Sequence, residues 1–166
     1  VITAHTKSAE DTRDLAGQLA GVARPGDVFL LSGDLGAGKT TFTQGFGRAL
    51  DVPGPITSPT FTLVQTYEGR LNLVHVDVYR LEHLQEVIDL GLPELLDEGS
   101  VALIEWGEAA APVLAADFLK VRLEYGDGGD GADGADDDRR FVFEPIGRGW
   151  VGRADTVIAA VERWAP

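Results

Sequence analysis

Two patterns of apolar residues alternate along this chain: short runs or period-two stretches that read as strands, and three-to-four spacings that read as helices. Val1 to Thr3 reads as a short strand. Ser8-x-x-Asp11 then reads as a capping box opening a helix whose inward face carries Leu15, Ala16, Leu19, Ala20 and Val22. Arg24-Pro25-Gly26-Asp27 ends that helix and turns into Val28-Phe29-Leu30-Leu31, apolar at every position, which suits a strand buried on both faces in a parallel sheet. A helix over Thr41 to Leu50 follows. Pro53, Gly54 and Pro55 break it, and Ile56 to Phe61 leads into an extended stretch, Thr62 to Tyr67. Glu68-Gly69-Arg70 is a turn signal, and Leu71 to Val78 alternates apolar and polar, so the two stretches are expected to form an antiparallel hairpin. Leu84 to Glu98 predicts two short helices split by Gly91 and Pro93, and Val101 to Trp106 another apolar strand. Phe118 to Tyr125 places Leu119, Val121, Leu123 and Tyr125 on one face and is expected to pair with Arg140 to Pro145. The last helix, Ala154 to Trp164, carries Val157, Ile158, Val161 and Trp164 at helical spacing.

Between the first apolar strand and the next helix stands Gly33-Asp34-Leu35-Gly36-Ala37-Gly38-Lys39-Thr40, followed by Thr41. The spacing G-x-x-x-x-G-K-[ST] in a strand-to-helix turn predicts a phosphate-binding P-loop. Glycines let backbone N–H groups close around phosphate oxygens, and the helix that follows adds unsatisfied amides and a positive dipole end. Lys39 is expected to reach the β- and γ-phosphates, and the Thr40 hydroxyl to ligate Mg²⁺. The bland alternative is a Gly-rich turn; the strand before and the helix after favour the nucleotide.

Composition narrows the picture. The chain has 166 residues, 44% of them hydrophobic and 25% charged, the make-up of one globular domain with a sizeable core. There is no Cys, which excludes disulfides and thiolate metal sites and agrees with a reducing, cytoplasmic setting. No signal peptide or membrane span is visible, and with no Met in the chain Val1 is expected not to be the natural start. The formal charge is -13, but the Gly/Asp tract over residues 126–138 holds six Asp, and removing them from -13 leaves -7. A body this acidic is a poor autonomous binder of nucleic acid, so any tRNA contact is expected to be indirect, through a partner. The tract lacks the flanking helices and terminal Glu of an EF-hand and the apolar residue of a nonapeptide repeat, so it is expected to be a disordered, solvated hairpin loop.

Nucleotide hydrolysis needs a carboxylate that holds metal and a group that orients water, normally at the end of an apolar strand beside the P-loop strand. Glu105 ends Val101-Ala102-Leu103-Ile104, and Asp77 sits in His75-Val76-Asp77-Val78-Tyr79-Arg80. Each is a candidate for a metal or water role, against the alternative of a helix cap or an Arg partner. His75 and Tyr79 read as structural partners of that site. Ser58-Pro59-Thr60 lies where a mobile segment sensing the γ-phosphate would sit, or is an ordinary proline turn. The guanine-reading N-K-x-D signature is excluded because the only Asn, Asn72, precedes Leu73, so ATP is the default.

Read together, GDLGAGKTTFTQGF (Gly33 to Phe46), ITSPTFTLVQTY (Ile56 to Tyr67), HVDVYRL (His75 to Leu81) and ALIEW (Ala102 to Trp106) resemble the TsaE family, formerly YjeE. The resemblance covers nearly the whole chain. It implies a P-loop NTPase-like α/β fold, a mixed β-sheet flanked by helices with antiparallel hairpins, in one ATPase domain over residues 1–166. It also implies ATP and Mg²⁺ as cofactors, weak intrinsic hydrolysis, and docking onto TsaB and TsaD during threonylcarbamoyladenosine synthesis at position 37 of ANN-decoding tRNA. Carried over by position, Lys39 and Thr40 match the family's phosphate and Mg²⁺ contacts and Glu105 its metal-side acid. Asp77 matches the acid of the H-x-D-x-Y-R motif, with a catalytic role, and Ser58 and Thr60 the switch-like segment. Thr12 and Arg140 are expected by position to line the nucleotide site. The Gly/Asp tract stands outside the family pattern.

Two other readings stay open. A small-molecule kinase would normally bring Arg residues on a lid, for which Arg139, Arg140, Arg148 and Arg153 are the late candidates. A nucleotide-gated assembly module would bind partners without turnover and keep doing so after Glu105→Gln.

Overall fold

Strand β2 (Val28–Gly33) is the axis of the molecule: it hydrogen-bonds in parallel with β5 (Val101–Glu105) on one side and β6 (Phe118–Tyr125) on the other. Flanked on both edges and covered on both faces, it buries Val28 to Leu31 without interruption, the physical meaning of its unbroken apolar run. The computed structural model describes residues 1–34, 36–57, 64–78, 85–86, 88–89, 91–105, 117–126 and 137–166. The remaining strands among these are β1 (Ile2–Thr6), β3 (Val64–Tyr67), β4 (Leu73–Asp77) and β7 (Arg139–Ile146). All seven form one mixed sheet in the order β1-β7-β6-β2-β5-β4-β3. Both expected hairpins are present: β3 pairs antiparallel with β4, and β6 with β7.

Several boundaries differ from expectation, each for a tertiary reason. β1 extends to Thr6 because five of its residues find antiparallel partners on β7. β4 does not show one wet face: Leu73 to Asp77 are all buried, since the strand lies between β3 and β5 and both faces are covered. Its two faces enter different interiors: Val74 and Val76 a smaller core, and Leu73, His75 and Asp77 the side of the larger one. The expected break between two short helices falls at Gly91, with residues 85–86 and 88–89 helical before it and a second helix after it; Pro93 lies just inside that second helix. It sits in the first turn of this helix, over Leu92–Asp97, where its missing N–H costs nothing, and Gly91 in left-handed geometry is the N-cap. Residues 127–136 of the acidic tract, Trp106, and Thr62, Leu63, Leu84, Val87 and Leu90 of the other expected segments fall outside the described residues; the β6–β7 hairpin is closed at its base by Gly126 N–H donating to the Asp138 carbonyl (3.0 Å).

Helices α1 (Ala9–Val22) and α2 (Lys39–Ala49) cover one face of the sheet together with a C-terminal helix over Ala154–Val161. Ser8 caps α1 as expected, its Oγ accepting from Asp11 N–H (3.0 Å), but Asp11 answers to Lys7 N–H (3.0 Å) rather than to Ser8 itself. Phe29 of β2 is the centre of this core, edge-on to Phe46 (4.9 Å between ring centroids) and Trp150 (5.2 Å). The C-terminal run breaks into a short helix (Arg148–Val151), the helix over Ala154–Val161 and a 3-10 turn (Glu162–Trp164). Val157, Val161 and Trp164 are buried, whereas Ile158 is 47% exposed. That helix packs along a single stripe, and residue 158 is rotated roughly 100° off it. The opposite face of the sheet holds a smaller core of Val28, Leu30, Val74, Val76, Ala102 and Ile104 under Leu92.

Candidate functional site

The site lies at the C-terminal ends of the parallel strands, where β2 runs into its glycine loop. Gly33 leaves the strand at φ +156, and a Cβ there would stand 2.7 Å from the backbone oxygen of Leu123, so β6 approaches too closely for any side chain. The loop turns through Ala37 N–H donating to the Asp34 carbonyl (3.0 Å) and ends on Gly38, whose left-handed φ of +106 makes it the N-cap of α2. Gly38 offers no side-chain acceptor, so the amides of Lys39, Thr40 and Thr41 in the first helical turn have no capping side chain. A helix start of this kind presents donors and positive dipole to an anion. Lys39 folds back onto the start of the loop, with Nζ donating to the Gly33 carbonyl (2.6 Å). Asp34 is exposed at the rim and Ala37 is buried; Leu35 lies outside the described residues.

A second group converges on the loop from the antiparallel end of the sheet. Arg139 Nε donates to the Ala37 carbonyl (3.0 Å), and its guanidinium lies 4.7 Å over the Tyr125 ring. The Tyr125 hydroxyl abuts Gly36, 3.0 Å from where a Cβ would be. Thr6, opposite Arg139 on β1, shares a buried hydroxyl–hydroxyl hydrogen bond with Thr12 (2.8 Å), which brings Thr12 to this cluster. Arg140 is turned to the other face of the sheet, where it donates to Glu124 Oε2 (2.7 Å). Arg139 and Tyr125 carry no motif, yet one signal existed: Phe141 and Phe143 share the parity of Arg139, and apolar residues of that parity face the α1 and α2 side. An open cleft of about 540 Å³ runs along the other flank, lined by Ser32, Asp34, Arg122, Glu124 and Tyr125.

The acidic end is built by register. Asp77 of β4 and Leu31 of β2 are the partners of Glu105 on β5, so Asp77 and Glu105 project side by side onto the face covered by α2. They are buried, 8% and 5% exposed. His75, two residues before Asp77 and on the same face, is fully buried with Nε2 2.9 Å from Glu105 Oε1. Buried carboxylates are costly unless paired or holding a cation. Among the described residues no three His, Asp or Glu side chains gather into a cage. That donor set suits Mg²⁺, which takes one or two carboxylates and completes its shell with waters and phosphates. Lys39 and Thr40 thus open α2, the helix on the side of the sheet onto which Asp77 and Glu105 project. Ser58 and Thr60 lie outside the described residues.

No helix among the described residues is long and apolar enough to cross a membrane. Residues 6–131 match the family model described as threonylcarbamoyl adenosine biosynthesis protein TsaE. The chain is 40% identical over 143 residues to the tRNA threonylcarbamoyladenosine biosynthesis protein TsaE of Bacillus subtilis, covering 86% of this chain and 84% of that one. It is 40% identical over 151 residues to the TsaE of Streptomyces coelicolor (89% and 99% covered) and 45% identical over 132 residues to that of Mycobacterium tuberculosis (74% and 78%). The crystal structure of Bacillus subtilis YdiB superposes with a TM-score of 0.73 at 33% identity, over 95% of this chain and 94% of that one. With a matching fold, a family model spanning most of the sequence and relatives of this closeness, the chain belongs to the TsaE family, whose proteins take part in the biosynthesis of threonylcarbamoyladenosine in tRNA.

Proposed function

We propose that this chain is a cytoplasmic, Mg²⁺-dependent ATP-binding and ATP-hydrolysing accessory protein of tRNA threonylcarbamoyladenosine synthesis, acting on a TsaB–TsaD complex and touching tRNA only through it. The observation that carries the reading is the alignment, on one sheet face, of an uncapped helix start bearing Lys39 with the buried pair Asp77 and Glu105. The loop amides and Lys39 bind phosphate oxygens, and Thr40, Glu105 and Asp77 are the groups that would hold the metal. Held by those groups, Mg²⁺ would supply positive charge against the negative charge that develops in phosphoryl transfer. Arg139 fixes the loop by gripping the Ala37 carbonyl. Turnover is slow alone because an accessory ATPase of this kind is completed by its partners. The net charge of -13 favours a basic surface on at least one of them.

The test is steady-state phosphate release from ATP by the protein alone, with TsaB and TsaD from the same source, and in the Lys39→Ala and Glu105→Ala variants. Slow release that rises with partners and falls in both variants is expected. A charge-assisted contact of about 1.5–3 kcal/mol corresponds to a drop of roughly ten- to a hundredfold for Lys39→Ala. Wild-type turnover in Lys39→Ala would refute the nucleotide site. Partner-insensitive turnover would refute the role on the complex, and partner binding that survives Glu105→Gln without any turnover would favour a gated assembly module.

A further inference from the structure

Within the acidic end of the site, one side chain is harder to account for than its neighbours. His75 occupies the middle of an inner strand, wholly buried, flanked in sequence by Val74 and Val76 and opposite Leu103 on β5. An aliphatic residue would pack there without desolvating a polar ring. The imidazole instead places one nitrogen on Glu105 Oε1 (2.9 Å) and leaves Nδ1 buried with no hydrogen-bond partner among the described residues. A carboxylate oxygen only accepts, so Nε2 is the donor, and Nδ1 is the cost of that single contact. Glu105 gains a fixed orientation. Its long side chain would otherwise swivel about its last torsion, and the bond from His75 pins one oxygen and turns the other away from the ring.

We infer that His75 is a positioning residue: it clamps Oε1 of Glu105 so that the remaining carboxylate oxygen is presented to the metal. This rests on the nucleotide and Mg²⁺ reading above and deepens it. Outer partners of metal-ligating groups act in this way, by setting the direction of a ligand they do not replace. His75 itself touches neither metal nor phosphate.

The test is Mn²⁺ binding, followed by electron paramagnetic resonance, to the full chain saturated with a non-hydrolysable ATP analogue. His75→Gln keeps a donor at the reach of Nε2; His75→Asn carries one only as far as Nδ1; His75→Leu carries none. The Mn²⁺ dissociation constant is expected to rise about tenfold or more in the Leu and Asn variants and to stay within about twofold of wild type in the Gln variant. Analogue binding in EDTA is expected to be unchanged in all three, and His75→Leu should add nothing in a Glu105→Ala background. Unchanged Mn²⁺ affinity in the folded Leu or Asn variant would overturn the inference alone, as would equal losses in Gln and Asn. If the Leu variant does not fold, the Gln and Asn pair decides. Wild-type protein that binds the analogue but no Mn²⁺ would instead overturn the metal reading and this inference with it.

Discussion

At Gly33 a single absent methyl group lets two strands and a loop share one place. The residue ends β2 with φ at +156, and the carbonyl oxygen of Leu123 stands where a Cβ would be forced to 2.7 Å. Gly33→Ala must therefore push β6 away from the loop or distort the turn, and a loss of about 1–3 kcal/mol is expected in urea unfolding. Gly21 provides the contrast. It lies in α1 with nothing within 4 Å of a built Cβ, so Gly21→Ala should raise stability by about 0.5 kcal/mol through helix propensity. Equal effects at the two positions would show that steric approach at Gly33 is not the cause. His75 makes the same point in polar chemistry: its identity is explained by one oxygen of Glu105 rather than by packing.

At the scale of elements, α1 is held at its N-terminal end. Ser8 caps the N-terminus through Asp11 N–H, and the Asp11 carboxylate in turn accepts from Trp164 Nε1 (2.6 Å), so the start of α1 is bonded to the last turn of the chain. Glu10, one residue earlier, reaches Arg48 on α2 and Arg13 on its own helix; hydrogen bonds from Arg48 first and Arg13 second hold its carboxyl below the usual range. Ser8→Ala removes one amide acceptor at the helix start, and a fall of about 1 kcal/mol is expected from the shift of the urea midpoint. No shift would mean that the contacts of Asp11 carry the helix start alone. Because α1 covers the face on which the glycine loop and the acid pair meet, its anchoring bears on the site as well as on the fold.

For the molecule as a whole, the C-terminal segment is fastened to the sheet's entrance by Arg153. Its guanidinium donates to both oxygens of Asp27 (2.8 and 2.9 Å) and to the Val22 carbonyl (2.7 Å), and it stacks 4.1 Å over the Trp150 ring. The pair is largely buried, each side chain being 12% exposed. Arg153→Leu would leave Asp27 with its charge and without its cation, and a destabilisation of about 3 kcal/mol is expected. Asp27→Asn combined with Arg153→Leu should recover part of it, because the stranded charge is then gone. A single-variant loss below about 1 kcal/mol would place this contact among ordinary surface pairs.

The order of elements, the buried central strand, the cap at Ser8, both hairpins and the residues of the glycine loop were legible in sequence, because each depends on short-range spacing: period two, period 3.6, or a fixed motif. The fate of β4 was not, since alternating Leu, His, Val and Asp reads as one wet face until β3 and β5 close on either side. Sequence could name Asp77, Glu105 and their partner His75 as one site, but not the pairings themselves, which exist only through the register of β4 on β5. The same limit explains Arg139 and Arg140. Parity with Phe141 and Phe143 assigns Arg139 to the core face, but that this face meets the glycine loop was decided only once β7 was laid against β6 and β1. Local periodicity thus determined what the elements are and where the loop lies. Tertiary pairing decided which side chains from distant segments meet around it, because register is a property of two strands and never of one.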